Sequence, residues 1–310
     1  HVLGRFRLTP GLETMTGQFG SDESVAETWT KLDQEWRSTR DGRKKANESF
    51  SKLTDFSQPG FPDGWAKDGE GLQHGWVKDG EPRISLSGET LISEFFSRGY
   101  HTHALSSKLP GALRPPAPER FPRARVSLRL AGGEWAGRRA IPQNAFLNEG
   151  PVFFDPSRPP TWTAIGAMGL TNGVTRVLNE ISTASLNANF PPRTGVARSG
   201  KTILPSSDEG FDKRSWFSVT GLVAHDGGGA PTDALDAFAP LYEGDRAATA
   251  EGVWLRLSDW LEGVVGRWAE GKSTAGDVKV LNWLLEGKLL PSDAKSVPQV
   301  AALVELYREV

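Results

Sequence analysis

From Pro59 to Ala224 glycine and proline interrupt the sequence at short, uneven intervals, and no helical period survives between the breaks. A chain that turns this often cannot build long helices there, because proline removes a backbone donor and glycine favours tight turns. The runs left between the turns are short and rich in apolar and β-branched residues: Trp65–Lys67, Gly75–Lys78, Arg83–Leu86, Leu91–Phe96, Ala124–Ala131, Arg139–Phe146, Thr161–Ala167, Thr175–Ser185 and Trp216–Ala224. Such a series predicts a jelly-roll-like antiparallel β-sandwich over residues 59–227. The stretch 148–160, with prolines at 151, 156, 159 and 160, suits a surface loop.

On either side of this region the period changes, which makes the fold class mainly β with α. Val2 to Leu8 reads as one strand, so residues 1–10 are expected to complete a sheet of an upstream domain. Residues 11–58 read as a helical connector: Val25, Trp29, Leu32 and Trp36 recur at helical spacing, and Ser24 with Glu27 has the form of a capping box. Residues 228–310 read as a small helical domain. There Trp254, Leu257, Leu261, Val264, Val265 and Trp268 form an apolar stripe. Thr274 with Asp277 predicts a second capping box, Val278, Leu281, Leu284 and Leu285 continue the period, and Gly287 supplies a stop. Val300, Leu303, Val304 and Tyr307 mark a last helix. The start at His1 and the end within a helical pattern lead to the expectation of a segment from a longer protein, whose adjacent domains dock on apolar surface left by the helical tail.

The 310 residues contain no cysteine, which excludes disulfides, thiolate chemistry, cysteine-ligated metals and thioether haem attachment within them. A formal net charge of -2 supplies no long-range field for nucleic acid or an anionic membrane, so neither is an expected partner. No apolar run approaches the roughly 18 residues of a membrane span. The arginines at 120, 123, 125, 129 and 138 are spaced among apolar residues as on the solvated face of half-buried strands.

Few constellations carry chemistry. His101 and His103 would share one face of a strand, as metal ligands need, yet no third ligand is in view and no metal site is assigned. Asp63, Asp68, Asp79, Glu94, Glu149, Asp155 and Glu180 supply carboxylates without a pair that stands out for glycoside hydrolysis. The nucleophile elbow and the phosphate-binding loop are both missing. No catalytic residue and no cofactor are therefore assigned. Binding has the better case, for a polysaccharide ligand: Trp65, Trp76, Trp135 and Trp162 offer aromatic faces to a pyranose, and Asn144, Asn148, Asn187 and Asn189 offer amides to its hydroxyls. The competing reading of the same residues is structural, as core tryptophans and turn asparagines.

The opening residues 1–9, Lys108–Arg114 (Lys-Leu-Pro-Gly-Ala-Leu-Arg), Gln143–Glu149, Asn187–Arg193 and Arg214–Phe217 together resemble the internal region of the planctomycete cytochrome-c-associated multidomain proteins of unknown function. In that family a haem-bearing segment, sandwich domains and helical domains are strung together. The resemblance implies an exported protein of the periplasm or cell envelope, involved in using complex polysaccharides. The family's haem motif has no counterpart here, so electron transfer is not assigned to this piece. Three functions compete: a non-catalytic glycan-binding module, a structural spacer between redox and helical domains, and a carboxylate-dependent glycoside hydrolase.

Overall fold

The computed structural model describes residues 22–116, 123, 125–133, 136–142, 152–153, 159–165, 177–186, 214–245 and 247–309. Helix α1 (Asp22–Asn47) precedes strands β1 (Ser51–Thr54), β2 (Ala66–Asp68), β3 (Glu81–Ile84), β4 (Ile92–Phe96), β5 (Tyr100–His101) and β6 (Ala112–Arg114). Strands β7 (Arg125–Gly132), β8 (Ala136–Pro142), β9 (Val152–Phe153), β10 (Thr161–Ile165), β11 (Val177–Thr183) and β12 (Phe217–His225) follow, and the chain continues through helices α2 (Ala239–Tyr242), α3 (Ala250–Ala269), α4 (Ala275–Glu286) and α5 (Pro298–Glu309).

Two sheets enclose one apolar core. The first runs β1-β12-β7-β10, with β5 paired to β12, and the second runs β2-β6-β11-β8-β9. With the edge strand β2 and the excursion β3 to β5 set aside, the order is first-eighth-third-sixth in one sheet and second-seventh-fourth-fifth in the other. This is the jelly-roll arrangement expected from the sequence. Alternation along β7 sends Val126, Leu128 and Leu130 inward to meet Leu113 of β6, Ile181 of β11 and Phe217, Val219 and Leu222 of β12. A register shift between Val219 and Gly221 restores the inward direction at Leu222. Gly99 meets the same strand so closely that a Cβ would lie 2.3 Å from the Val219 carbonyl oxygen, at a φ of 148° that side chains rarely adopt.

Two compact units emerge, each assembled from separated pieces of chain. The sandwich is built from Glu48–Arg83 and Ser97–Pro231, and the helical unit from residues up to Asn47, Ile84–Phe96 and Thr232–Val310. The sequence reading treated residues 11–58, 59–227 and 228–310 as successive segments, whereas α1 and the stretch containing β4 fall in one unit with the C-terminal helices. The reason is apolar surface: Val25 and Trp29 of α1 cluster with Ala247 and Val253, and Trp36 stacks on Tyr242 at 5.0 Å while its Nε1 donates to the Leu235 carbonyl at 3.0 Å. Leu32, expected on the same stripe, is 41% exposed. Ser24 lies inside α1, which begins at Asp22, so it does not cap that helix.

The second helical signal holds at residue level. Thr274 and Asp277 form a reciprocal capping box at the start of α4, and Gly287 ends it. Along α3 the buried residues are Val253, Trp260, Val264 and Val265, while Leu257, Leu261 and Trp268 pack at the margin of the cluster. Among the described residues no helix is long and apolar enough to cross a membrane. The terminal strand expected at residues 1–10 lies outside the described residues.

Candidate functional site

The tryptophans named from sequence separate into two kinds. Trp65 immediately precedes β2 and meets Phe56 and Phe61 edge-on, with ring centroids 5.8 and 6.4 Å apart. Trp76 donates Nε1 to the Phe56 carbonyl at 2.8 Å. Both pack against the sandwich core, so their apolar faces are largely used in holding the fold. Trp65 is inclined by 71° to Phe56 and 72° to Phe61, so these three rings form no coplanar row.

Trp162 is different. In the β7–β10 ladder it stands opposite Arg129, on the face that points away from Val126, Leu128 and Leu130. The indole crosses to β12, where Gly221 pairs with the same Arg129. A Cβ on Gly221 would lie 3.0 Å from Trp162 Cη2, so the missing side chain makes room for the ring. Arg129 flanks it and donates Nε to the Pro160 carbonyl at 3.2 Å. Trp162 remains half-buried, and exposed Thr161 and Ala164 adjoin it on the edge strand. Trp135, Asn144, Asn148, Asn187 and Asn189 lie outside the described residues.

Three of the carboxylates noted in the sequence, Asp68, Asp79 and Glu180, are paired with arginines, while Glu149 and Asp155 lie outside the described residues. Glu180, 1% exposed, accepts from Arg114 Nε at 2.5 Å, and Asp68 accepts from Arg114 Nη1 at 3.0 Å. Burial alone would lower the Arg114 pKa, but the charge and hydrogen bond of Glu180, with those of Asp68, raise it above the ordinary value. Asp79 accepts the Arg98 backbone N–H at 2.8 Å and lies 3.5 Å from its Nη1. Asp68 and Glu180 thus share the one Arg114 guanidinium.

The histidines form a second polar group that periodicity alone did not reveal. His101 is buried, with Nε2 2.7 Å from the Ser97 carbonyl and Nδ1 2.7 Å from Ser218 Oγ. The carbonyl accepts only, so Nε2 carries the proton and Nδ1 accepts from the serine hydroxyl. His225 repeats the pattern in mirrored form, donating Nδ1 to the Gly227 carbonyl at 2.8 Å and accepting at Nε2 from Ser127 at 2.9 Å. His101 and His103 have ring centroids 5.8 Å apart at 72°, and His103 stacks at 4.1 Å on Trp216. Among the described residues no three histidine, aspartate or glutamate side chains gather as metal ligands.

One arginine departs from the solvated-face expectation. Arg138 of β8 stands opposite Ile181 of β11, a core residue, and therefore faces the sandwich interior. Its Nη1 donates to the carbonyl of Ala164 on β10, in the opposite sheet. Burial lowers the Arg138 pKa below the ordinary arginine value. No family model matches the chain, and no curated protein or solved structure matches it.

Proposed function

We propose that this chain is a non-catalytic glycan-binding module, with Trp162 as its aromatic platform, carried in a larger exported multidomain protein of the planctomycete cytochrome-c-associated kind. The observation that carries the binding reading is the seat of Trp162: a half-buried indole on the outer face of an edge strand, lodged over the bare backbone of Gly221 and flanked by Arg129. An aromatic ring on a rigid strand offers a pyranose an apolar face at little conformational cost. The packing of half-buried Trp65 and Trp76 against the sandwich core supports, for those two residues, the structural reading over the binding one.

A glycan-array screen of the whole chain, followed by affinity electrophoresis in the retained polysaccharides, tests the proposal. Trp162→Ala is expected to abolish retention and Trp76→Phe to preserve it. Retention unchanged in Trp162→Ala, or no retention by the native chain on any polysaccharide, rejects the reading.

A further inference from the structure

We infer that the C-terminal segment 232–310 is an exchangeable piece of the fold, able to seat on a second copy of this chain, with the Gly227–Gly229 linker as the hinge. The inference stands apart from the glycan reading of Trp162. It begins with the way the helical unit is assembled. Its pieces are residues up to Asn47, Ile84–Phe96 and Thr232–Val310, so the last piece joins the other two only after the chain has passed through the whole sandwich. A single stretch, 226–231, ties that piece to everything before it.

What holds the piece in place is a specific interface inside the helical unit. Asn47 Oδ1 accepts the Thr232 N–H at 2.9 Å, and Asn47 Nδ2 donates to the Thr232 carbonyl at 2.7 Å. Asn282 treats Phe95 in the same way, accepting its N–H at 2.8 Å and donating to its carbonyl at 2.9 Å. Around this pair Phe95 is buried with Trp260, Val264 and Leu281. Near the end of the chain Arg308 donates Nε to the Ser85 carbonyl and Nη2 to the Thr90 carbonyl, each at 2.9 Å. None of these contacts depends on which copy of the chain supplies residues 232–310. Two copies that trade the segment regenerate all of them, which is the condition for domain swapping.

The linker sets the balance between the two arrangements. Residues 226–230 are exposed, and a Cβ on Gly227, Gly228 or Gly229 would meet nothing within 4 Å. Gly229 has a φ of 97°, a conformation that glycine adopts freely and other residues rarely do. Glycine here lets the chain turn so that the segment lands on its own copy. A short flexible tether holds its piece at a millimolar effective concentration, so the closed monomer prevails in dilute solution. Once that turn is denied, the same contacts are reached through a second copy.

Gly228→Pro combined with Gly229→Pro is the decisive variant, because proline holds φ at about −65° and straightens the hinge. In size-exclusion chromatography with light scattering the native chain is expected to run as a monomer and the variant at twice the mass. The sequence has no cysteine, so one engineered pair reports which chains are joined. With Asn47→Cys and Thr232→Cys added, non-reducing electrophoresis is expected to show a disulfide within one chain for the native linker and between two chains for the proline linker. A proline variant that stays a folded monomer overturns the inference, as does a dimer whose disulfides remain within each chain. If the proline variant does not fold, as judged by circular dichroism, the cysteine pair on the native linker decides. Refolding it from urea at millimolar concentration should then give the interchain disulfide, and refolding at micromolar concentration the intrachain one. Intrachain disulfides alone at both concentrations overturn the inference.

Discussion

Arg267, in the last turn of α3, grips Asp277, in the first turn of α4, through two parallel hydrogen bonds: Nη2 to Oδ1 at 2.6 Å and Nε to Oδ2 at 3.0 Å. The same carboxylate closes the capping box by accepting from the Thr274 backbone N–H and hydroxyl, each at 2.9 Å. One side chain thus ends one helix connection and starts the next. Asp277→Ala is expected to destabilise the helical unit by about 2 kcal/mol, combining a lost cap with a lost charge-assisted pair. Arg267 is 40% exposed on its side chain and can be rehydrated, so Arg267→Ala should cost about half of that. Urea denaturation of the two variants checks both the size and the order.

Trp260 and Trp268 lie on the same helix and differ in depth. Trp260 is 7% exposed and donates Nε1 to the Ala237 carbonyl at 2.8 Å, while Trp268 packs edge-on against Phe95 at 5.3 Å from a half-buried position. Trp260→Ala is expected to cost about 3–5 kcal/mol, and Trp268→Ala roughly half as much, because part of its ring already meets water. Equal losses in thermal or chemical unfolding would show that Trp268 belongs to the core as fully as Trp260.

Acid should destabilise both units, in a range set by Asp55 and Asp277. For Asp55 burial acts to raise the pKa, but hydrogen bonds from Ser57 and Lys52 and the charge of Arg98 outweigh it and hold the group at about 2. For Asp277 burial is likewise overcome, by Arg267 and Thr274, and its pKa lies below the ordinary carboxylate value. Each folded pKa is thus depressed. The stabilisation is fully present above the unfolded value of about 3.9 and is lost as pH falls through the folded value, for Asp55 between about pH 5 and 2. Asp55→Asn should be less stable than the native chain at pH 7 and should flatten the acid limb of a stability profile. An unchanged slope below pH 5 would contradict the assignment.

Much of this fold was legible because local chemistry and tertiary packing agree. The turn-punctuated run gave the jelly roll, and Thr274 with Asp277 gave a cap that forms as expected. Elsewhere packing overrides local pattern. Ser24 has a capping spacing but lies inside α1, and Trp260, outside the stripe read from sequence, is buried in the helical cluster with its Nε1 satisfied by the Ala237 carbonyl. β1 is too short to show a period and is recruited by the β12 ladder. Arg138 reads as one more solvated arginine, and only the register opposite Ile181 turns it inward. The binding face was legible in residue type, as Trp162, and illegible in its support, because nothing near Trp162 in sequence points to Gly221.

That support is open to a direct test. A methyl group at Gly221 would stand 3.0 Å from Trp162 Cη2 and 3.7 Å from Arg129 Cβ, so the indole has to shift by a few tenths of an ångström while the strand keeps its place. Gly221→Ala should change stability by about 1 kcal/mol or less, since the crowding of a movable ring is offset by the reduced entropy of the unfolded chain. Polysaccharide retention should nevertheless fall several-fold, because a platform is useful only when its face is held in place. A Gly221→Ala chain that unfolds like the native protein and binds like it would remove Trp162 from the binding face. A chain that unfolds normally and binds weakly would tie affinity to the orientation of this one ring.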